Sequence, residues 1–291
     1  MKRIRSVAAM QDYSDARRAE GERVALVPTM GALHEGHVAL IDTAQEEADR
    51  VVVSVFVNPT QFGPDEDYDA YPRDIDHDAA KLEEQGVDVL FAPTVEEMYP
   101  GEPVGDAPTL TWVTVNRLDE HLCGRYREGH FEGVTTIVTK LFHACTPHVA
   151  VFGRKDAQQF VIIQRLVQDL LFNIDVVGVP TVREPDGLAQ SSRNAYLSPE
   201  ERAQATVLYE AVKTAESRIE AGEQQISALV EAMRKNLGQA PDGNVQYADV
   251  VDASTLQPLQ RIEPGQHVLA AVAVYFGDTR LIDNAFVRAP A

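Results

Sequence analysis

Short β-branched runs alternate with stretches of helical periodicity through the first 180 residues, and that alternation leaves few folds open. Residues 24–27 are apolar, and 37–49 follow with Val38, Leu40, Ile41 and Ala44 at helical spacing. Residues 51–57 read as a buried strand, 74–85 as a helix stopped by Gly86, and 87–91 as a third strand. A Pro-rich loop (Pro93, Pro100, Pro103, Pro108) precedes 111–115, read as a short edge segment. Then come a helix over 133–144, a strand over 149–152, a helix over 157–171 and a strand over 174–179. Such repetition predicts an α/β fold with a doubly wound parallel sheet, covered on both faces.

The pattern changes after Pro180. Glu184-Pro185-Asp186-Gly187 is a turn signature, and Ser198-Pro199-Glu200-Glu201 is a capping box with Pro at the first helical position. One helix is expected from there to Ala221, a second over 226–237, then strands at 245–251, 268–276 and 280–282. We therefore divide the chain into an α/β domain, residues 1–181, and a smaller α+β domain, residues 182–291.

Asp and Glu exceed Lys and Arg by 45 − 26 = 19 in 291 residues, so the mean field repels phosphodiester backbones and anionic lipid. Nucleic acid and membranes are accordingly poor partners, and an anionic substrate needs a few local cations. Cys123 and Cys145 form no CxxC pair and read as reduced thiols. The longest apolar run, 268–276, falls short of the ~20 residues of a membrane helix, and 7–10 is too short for a secretory core. A cytoplasmic protein is the expectation.

In an open parallel sheet, ligands bind beyond the carboxyl ends of the strands. There the sequence places Met30-Gly31-Ala32-Leu33-His34-Glu35-Gly36-His37, then Asn58-Pro59-Thr60-Gln61, then Gly153-Arg154-Lys155-Asp156, and finally Thr181-Val182-Arg183. The most specific signal is His34-x-Gly36-His37 between a strand and a helix. A helix N-terminus offers N–H groups and partial positive charge, Gly36 admits close approach, and two imidazoles can donate to phosphate oxygens. Capping or core histidines, or a metal site, are the alternatives, but no third ligand stands at recognisable spacing. Lys155 suits phosphate, although a Lys-Asp pair at a helix start also occurs as a surface pair. Gln61 and Gln159 read either as hydroxyl- and carboxylate-binding groups or as solvated amides. Ser191-Ser192-Arg193 reads as a phosphate clamp or an ordinary polar loop. Asp74, Asp76 and Asp78 open a helix where acids are favoured anyway, with Mg²⁺ binding as an option. His77, His121, His130, His143, His148 and His267 show no partner pattern and are read as structural or solvated. There is no GxGxxG after a strand, no GxxxxGK[ST] and no GxSxG. Their absence argues against a dinucleotide dehydrogenase, a P-loop NTPase and an α/β-hydrolase.

Five segments together resemble the pantoate–β-alanine ligases, a family within the HxGH nucleotidyltransferase-like superfamily. They are PTMGALHEGH from Pro28, VSVFVNPTQFGPDEDYDAYPRD from Val53, GHFEGVTTIVTKLF from Gly129, VFGRKDAQQ from Val151 and VGVPTVREPDGLAQSSRNAYLS from Val177. The resemblance implies a Rossmann-like fold and an AMP-forming ligation of pantoate with β-alanine through an enclosed acyl adenylate. It also implies ATP as cosubstrate with Mg²⁺, and a homodimer. Carried over by position, Met30, Gly31, Ala32, Leu33, His34, Glu35, Gly36 and His37 would bind ATP. Gly153, Arg154, Lys155, Asp156 and Val182 would do the same, as would the clamp Gln190, Ser191, Ser192 and Arg193. His37, His34 and Lys155 would be catalytic. Gln61 and Gln159 would hold pantoate, and Gln61 would also lie near β-alanine. Asn58 and Arg127 fit secondary roles, and Asp78 the metal. Two positions depart from the family pattern: Gln190 stands where Met is usual, and Arg154 where Glu is usual. The rival readings are another HxGH nucleotidyltransferase, a non-catalytic nucleotide-binding protein, and an ADP-forming ligase.

Overall fold

The computed structural model describes residues 1–64, 66–101 and 109–291; Pro103 and Pro108 of the expected loop lie outside them. Contacts cluster into two compact units. The first comprises Met1–Val115, Arg127–Arg154 and Ile162–Pro180, and the second Asn116–Tyr126, Lys155–Val161 and Thr181–Ala291. The long stretch of the second unit thus begins at Thr181, but two earlier segments join it, which no composition shift announces.

Elements in chain order are β1 (Lys2–Ile4), α1 (Val7–Ala19), β2 (Val24–Thr29), α2 (Glu35–Glu47), β3 (Arg50–Val55), α3 (Ile75–Glu84), β4 (Val89–Phe91) and α4 (Val95–Met98). They continue with α5 (Leu122–Tyr126), α6 (His130–Cys145), β5 (Val149–Gly153), α7 (Ala157–Asp169) and β6 (Asp175–Val179). Last come α8 (Pro199–Gln204), α9 (Val207–Glu220), α10 (Ile226–Leu237), β7 (Gly243–Asp252), β8 (His267–Phe276) and β9 (Thr279–Arg288).

In the first unit the strands form one sheet in the order β1-β4-β3-β2-β5-β6, with every described pairing parallel. Chain order reverses between β2 and β5, the switch point where doubly wound sheets hold ligands. There β2 pairs with β5 only at Ala25↔Val149 and Leu26↔Ala150, whereas it pairs with β3 over six positions. Pro28, near its end, has no N–H to give a ladder. The Val- and Leu-rich strands are buried, with Val24, Ala25, Leu26, Val27, Val52 and Val53 at 0% exposure. That explains their continuous rather than alternating apolar pattern.

Four labelled elements escaped the sequence reading: β1, which pairs with β4, α1, capped by Ser6 accepting from Ala9 N–H, and the short helices α4 and α5. The expected edge segment at 111–115 is not a strand. Its backbone is bound instead by α6, where Val113 N–H donates to Thr136 Oγ1 at 3.0 Å and Thr135 Oγ1 donates to the Val113 carbonyl. In the second unit, β7-β8-β9 is an antiparallel meander packed on α9 and α10 around Leu208, Val212, Leu229, Met233, Val272 and Phe276. The single helix expected from Ser198 to Ala221 is broken after Gln204. Consecutive β-branched residues Thr206 and Val207 stand at the break, and Thr206 Oγ1 bonds the Ala203 carbonyl instead of leaving the ladder intact.

Candidate functional site

Beyond the carboxyl end of β2 the chain turns sharply into α2. Gly31 and Ala32 are both left-handed, at φ +87° and +52°. A Cβ at Gly31 would sit 2.7 Å from Asp78 Oδ2, so glycine is needed on both counts. Asp78, on α3 and 2% exposed, holds the turn from behind: Oδ2 accepts from Ala32 N–H at 3.0 Å and Oδ1 from Leu33 N–H at 2.9 Å. One helical turn on, Lys81 Nζ donates to the Leu33 carbonyl at 3.2 Å. Asp78 thus braces the turn through both carboxylate oxygens, each accepting one backbone N–H. Asp74 caps the same helix, accepting from His77 N–H. Among the described residues no cluster of three or more His, Cys, Asp or Glu could hold a metal ion.

His34 is the N-cap of α2 and His37 its N3 residue, and together they form a capping box made of imidazoles. Gly36 N–H donates to His34 Nδ1 at 3.1 Å, and His34 N–H donates to His37 Nδ1 at 3.2 Å. A backbone N–H can only donate, so both Nδ1 atoms accept and the proton of each neutral ring lies on Nε2. The rings lie 4.1 Å apart at 45°. Capping and phosphate binding, alternatives in the sequence, are thus compatible: Nδ1 of each ring makes the cap, which puts the neutral ring's proton on Nε2.

After β3, a 3₁₀ turn at Pro59–Gln61 sits against α6. Gly133 permits the approach, because a Cβ there would lie 2.3 Å from the Thr60 carbonyl oxygen. Asn58, 1% exposed, donates to Gln61 Oε1 at 3.2 Å, and Gln61 Nε2 reaches Met30 Sδ at 3.0 Å, joining this turn to the histidine turn. The Gln61 carbonyl is held by His130 Nδ1 at 2.7 Å, and His130 Nε2 faces Arg127 Nη1 at 2.9 Å. Arg127 also grips both oxygens of Glu66, at 2.6 and 2.7 Å. Burial pushes the Glu66 carboxyl up, but the Arg127 hydrogen bonds and charge, with the Gly63 N–H and the His130 charge, together hold the carboxyl below its ordinary range. His130, read from sequence as structural or solvated, is a supporting member of this pocket. Tyr99 and Gly133 were not singled out, and Thr60 only as one of the residues following β3. The two glycines flanking His130-Phe131-Glu132 were the available signal.

Gly153 ends β5, next to β2 in the sheet. Arg154–Asp156 form a 3₁₀ turn leading into α7. In the second unit, Asn284 Nδ2 donates to the Lys155 carbonyl at 2.7 Å, and buried Gln158 donates to the carbonyls of Leu118 and His121. Gln159 beside it is half-buried. Val182 and Gln190 are joined through Gln190 N–H to the Val182 carbonyl at 2.9 Å, closing a loop whose Gly187 packs against Tyr209. Arg183 makes paired bonds to buried Asp283 at 2.7 and 3.0 Å and stabilises the same loop. Ser191 caps the turn Ser192–Tyr196 by accepting from Arg193 N–H.

The model of a family described as pantoate-beta-alanine ligase matches residues 2–286. A pantothenate synthetase of Salinibacter ruber is 68% identical, over 100% of this chain and 99% of that protein, and one of Thermotoga petrophila is 48% identical over 99% and 100%. The crystal structure of pantothenate synthetase from Thermus thermophilus superposes with a TM-score of 0.89 at 45% identity, covering 98% of this chain and 99% of that one. A pantoate-beta-alanine ligase from Francisella tularensis, complexed with beta-gamma ATP and beta-alanine, gives 0.77 at 32% identity, covering 98% and 97%. With a family model matched from end to end and a full-length relative at this identity, the chain belongs to the pantoate–β-alanine ligase family.

Proposed function

We propose that the chain condenses (R)-pantoate with β-alanine to pantothenate, converting ATP to AMP and diphosphate through a pantoyl adenylate. The observation that carries this reading is the imidazole capping box at the switch point: two Nε2–H donors set at a helix N-terminus suit a polyphosphate. His34 and His37 bind the ATP phosphates, with Met30, Gly31, Ala32, Leu33, Glu35 and Gly36 forming the cradle. Gly153, Arg154, Lys155, Asp156, Val182, Gln190, Ser191, Ser192 and Arg193 complete the nucleotide contacts, Lys155 as a point charge on phosphate. Gln61 and Gln159 hold pantoate, and Gln61 also borders β-alanine. Mg²⁺ enters as the ATP complex, with phosphate oxygens as its main ligands, in line with its usual habit. The proposal extends to a cytoplasmic homodimer.

A carboxylate is a poor acylating agent, so the acid is first activated. Its oxygen attacks the α-phosphorus, an O–P bond forms, and the bond to the β-phosphate oxygen breaks as diphosphate leaves. Fixed donors on the histidine turn stabilise the charge that builds on the phosphates. The β-alanine amine then attacks the acyl carbon, AMP leaves with the electron pair of the C–O bond, and the ammonium proton is lost. The protein holds two anions in line and excludes water from the adenylate. Incubation with ATP, Mg²⁺, pantoate and β-alanine, omitting each in turn, tests the reading. AMP and diphosphate formed only with pantoate support it; ADP, or turnover independent of pantoate, overturns it.

A further inference from the structure

The Gln61 carboxamide can face a ligand with its oxygen or its nitrogen, and that choice decides which ligand atom it accepts. The fold makes the choice from a distance. The Gly133 carbonyl can only accept, so the Asn58 side-chain atom 3.1 Å from it is Nδ2. The same Nδ2 donates to Gln61 at 3.2 Å, and Gln61 must therefore offer Oε1 to it. This leaves Gln61 Nε2 as the donor, with the weak acceptor Met30 Sδ at 3.0 Å beside it. Asn58 Oδ1 is held in turn by the Tyr99 hydroxyl at 2.6 Å and by Thr60 Oγ1 at 3.1 Å. With Asn58 1% exposed, bulk water cannot replace a lost partner.

We propose that Tyr99 is a positioning residue: by holding Asn58 Oδ1, it locks Gln61 with Nε2 towards the ligand, so this subsite takes an oxygen acceptor, a carboxylate or hydroxyl. The inference rests on the role proposed above for Gln61 in holding the acid substrate. Tyr99 is itself firmly seated. Lys140 Nζ lies 4.1 Å above its ring centroid and donates to the Met98 carbonyl at 2.7 Å. Tyr99→Phe keeps the ring under that ammonium and removes only the hydroxyl.

Steady-state kinetics of the full chain test the relay with Gln61→Ala, Tyr99→Phe and the double variant. Tyr99→Phe is expected to raise the pantoate KM ~10-fold while the ATP KM stays within about two-fold, a split that general loosening of the fold would not produce. Because Tyr99 acts through Gln61, the double variant should match Gln61→Ala alone. An unchanged pantoate KM in Gln61→Ala overturns the assignment of Gln61 and the relay with it. If Gln61→Ala raises that KM but Tyr99→Phe does not, or the two effects add, the relay alone is overturned. Thr60→Val removes the other hydroxyl on Asn58 Oδ1. It should give a smaller rise confined to pantoate, and no rise there counts against the relay even if Tyr99→Phe fails to fold.

Discussion

Two parts of the first unit's site are built in opposite ways. The imidazoles of the histidine turn are fixed by backbone N–H groups two and three residues away. The Gln61 pocket is closed by Tyr99, His130 and Gly133, whose bonds span 41, 69 and 75 positions. A locally closed turn carries its ring orientation in contiguous residues, with Asp78 as a long-range brace, 45 and 46 positions away. A pocket closed over long range depends on how the sheet and α6 pack, so distant substitutions should reach it.

The largest expected effect lies in the turn. His37→Ala should fold normally, since one lost cap bond costs about 1 kcal/mol, yet lose about 10²–10³ in kcat. Near-normal turnover would remove the turn from the chemistry. Gly133→Ala, far from the turn in sequence, forces a Cβ against the Thr60 carbonyl. It should cost about 1–3 kcal/mol in denaturant unfolding and raise the pantoate KM more than the ATP KM. Equal rises would erase the distinction between the two parts. Asp78→Asn replaces one of two acceptors behind the turn with a donor, and should raise the ATP KM ~10-fold with little change for pantoate.

The smallest expected effect is electrostatic. The folded-state pKa of Glu66 is depressed: burial raises it, but the Arg127 bonds and charge, the Gly63 N–H and the His130 charge together outweigh burial. Its contribution to stability is therefore present above the ordinary value of 4.5 and is lost as pH falls through the lower folded value. Acid unfolding followed in the native chain and in Glu66→Gln should show a shallower slope below about pH 4.5 in the variant. Superimposable slopes would detach Glu66 from the support of Arg127 and His130.

How much was legible follows the same division. Buried parallel strands announce themselves as β-branched runs, and Asp74 and Ser198 mark helix starts by local chemistry that the structure reproduces. The paired histidines were legible for the same reason. Segment 111–115 was misread because its partners, Thr135 and Thr136, lie on a helix that periodicity alone cannot dock. His130 lacked a pattern because Arg127 is three residues away but the Gln61 carbonyl is 69. Asp78 is ambiguous in sequence, since an acid in a first helical turn is favourable whether or not it grips another loop.

The most direct test of the account follows the substrate oxygen. Pantoate labelled with ¹⁸O in its carboxylate is turned over with ATP and β-alanine, and the AMP is analysed by mass spectrometry. Attack by that carboxylate on the α-phosphorus places one ¹⁸O in the AMP phosphate for each pantothenate formed. Unlabelled AMP, or label recovered in inorganic phosphate alongside ADP, would contradict the account.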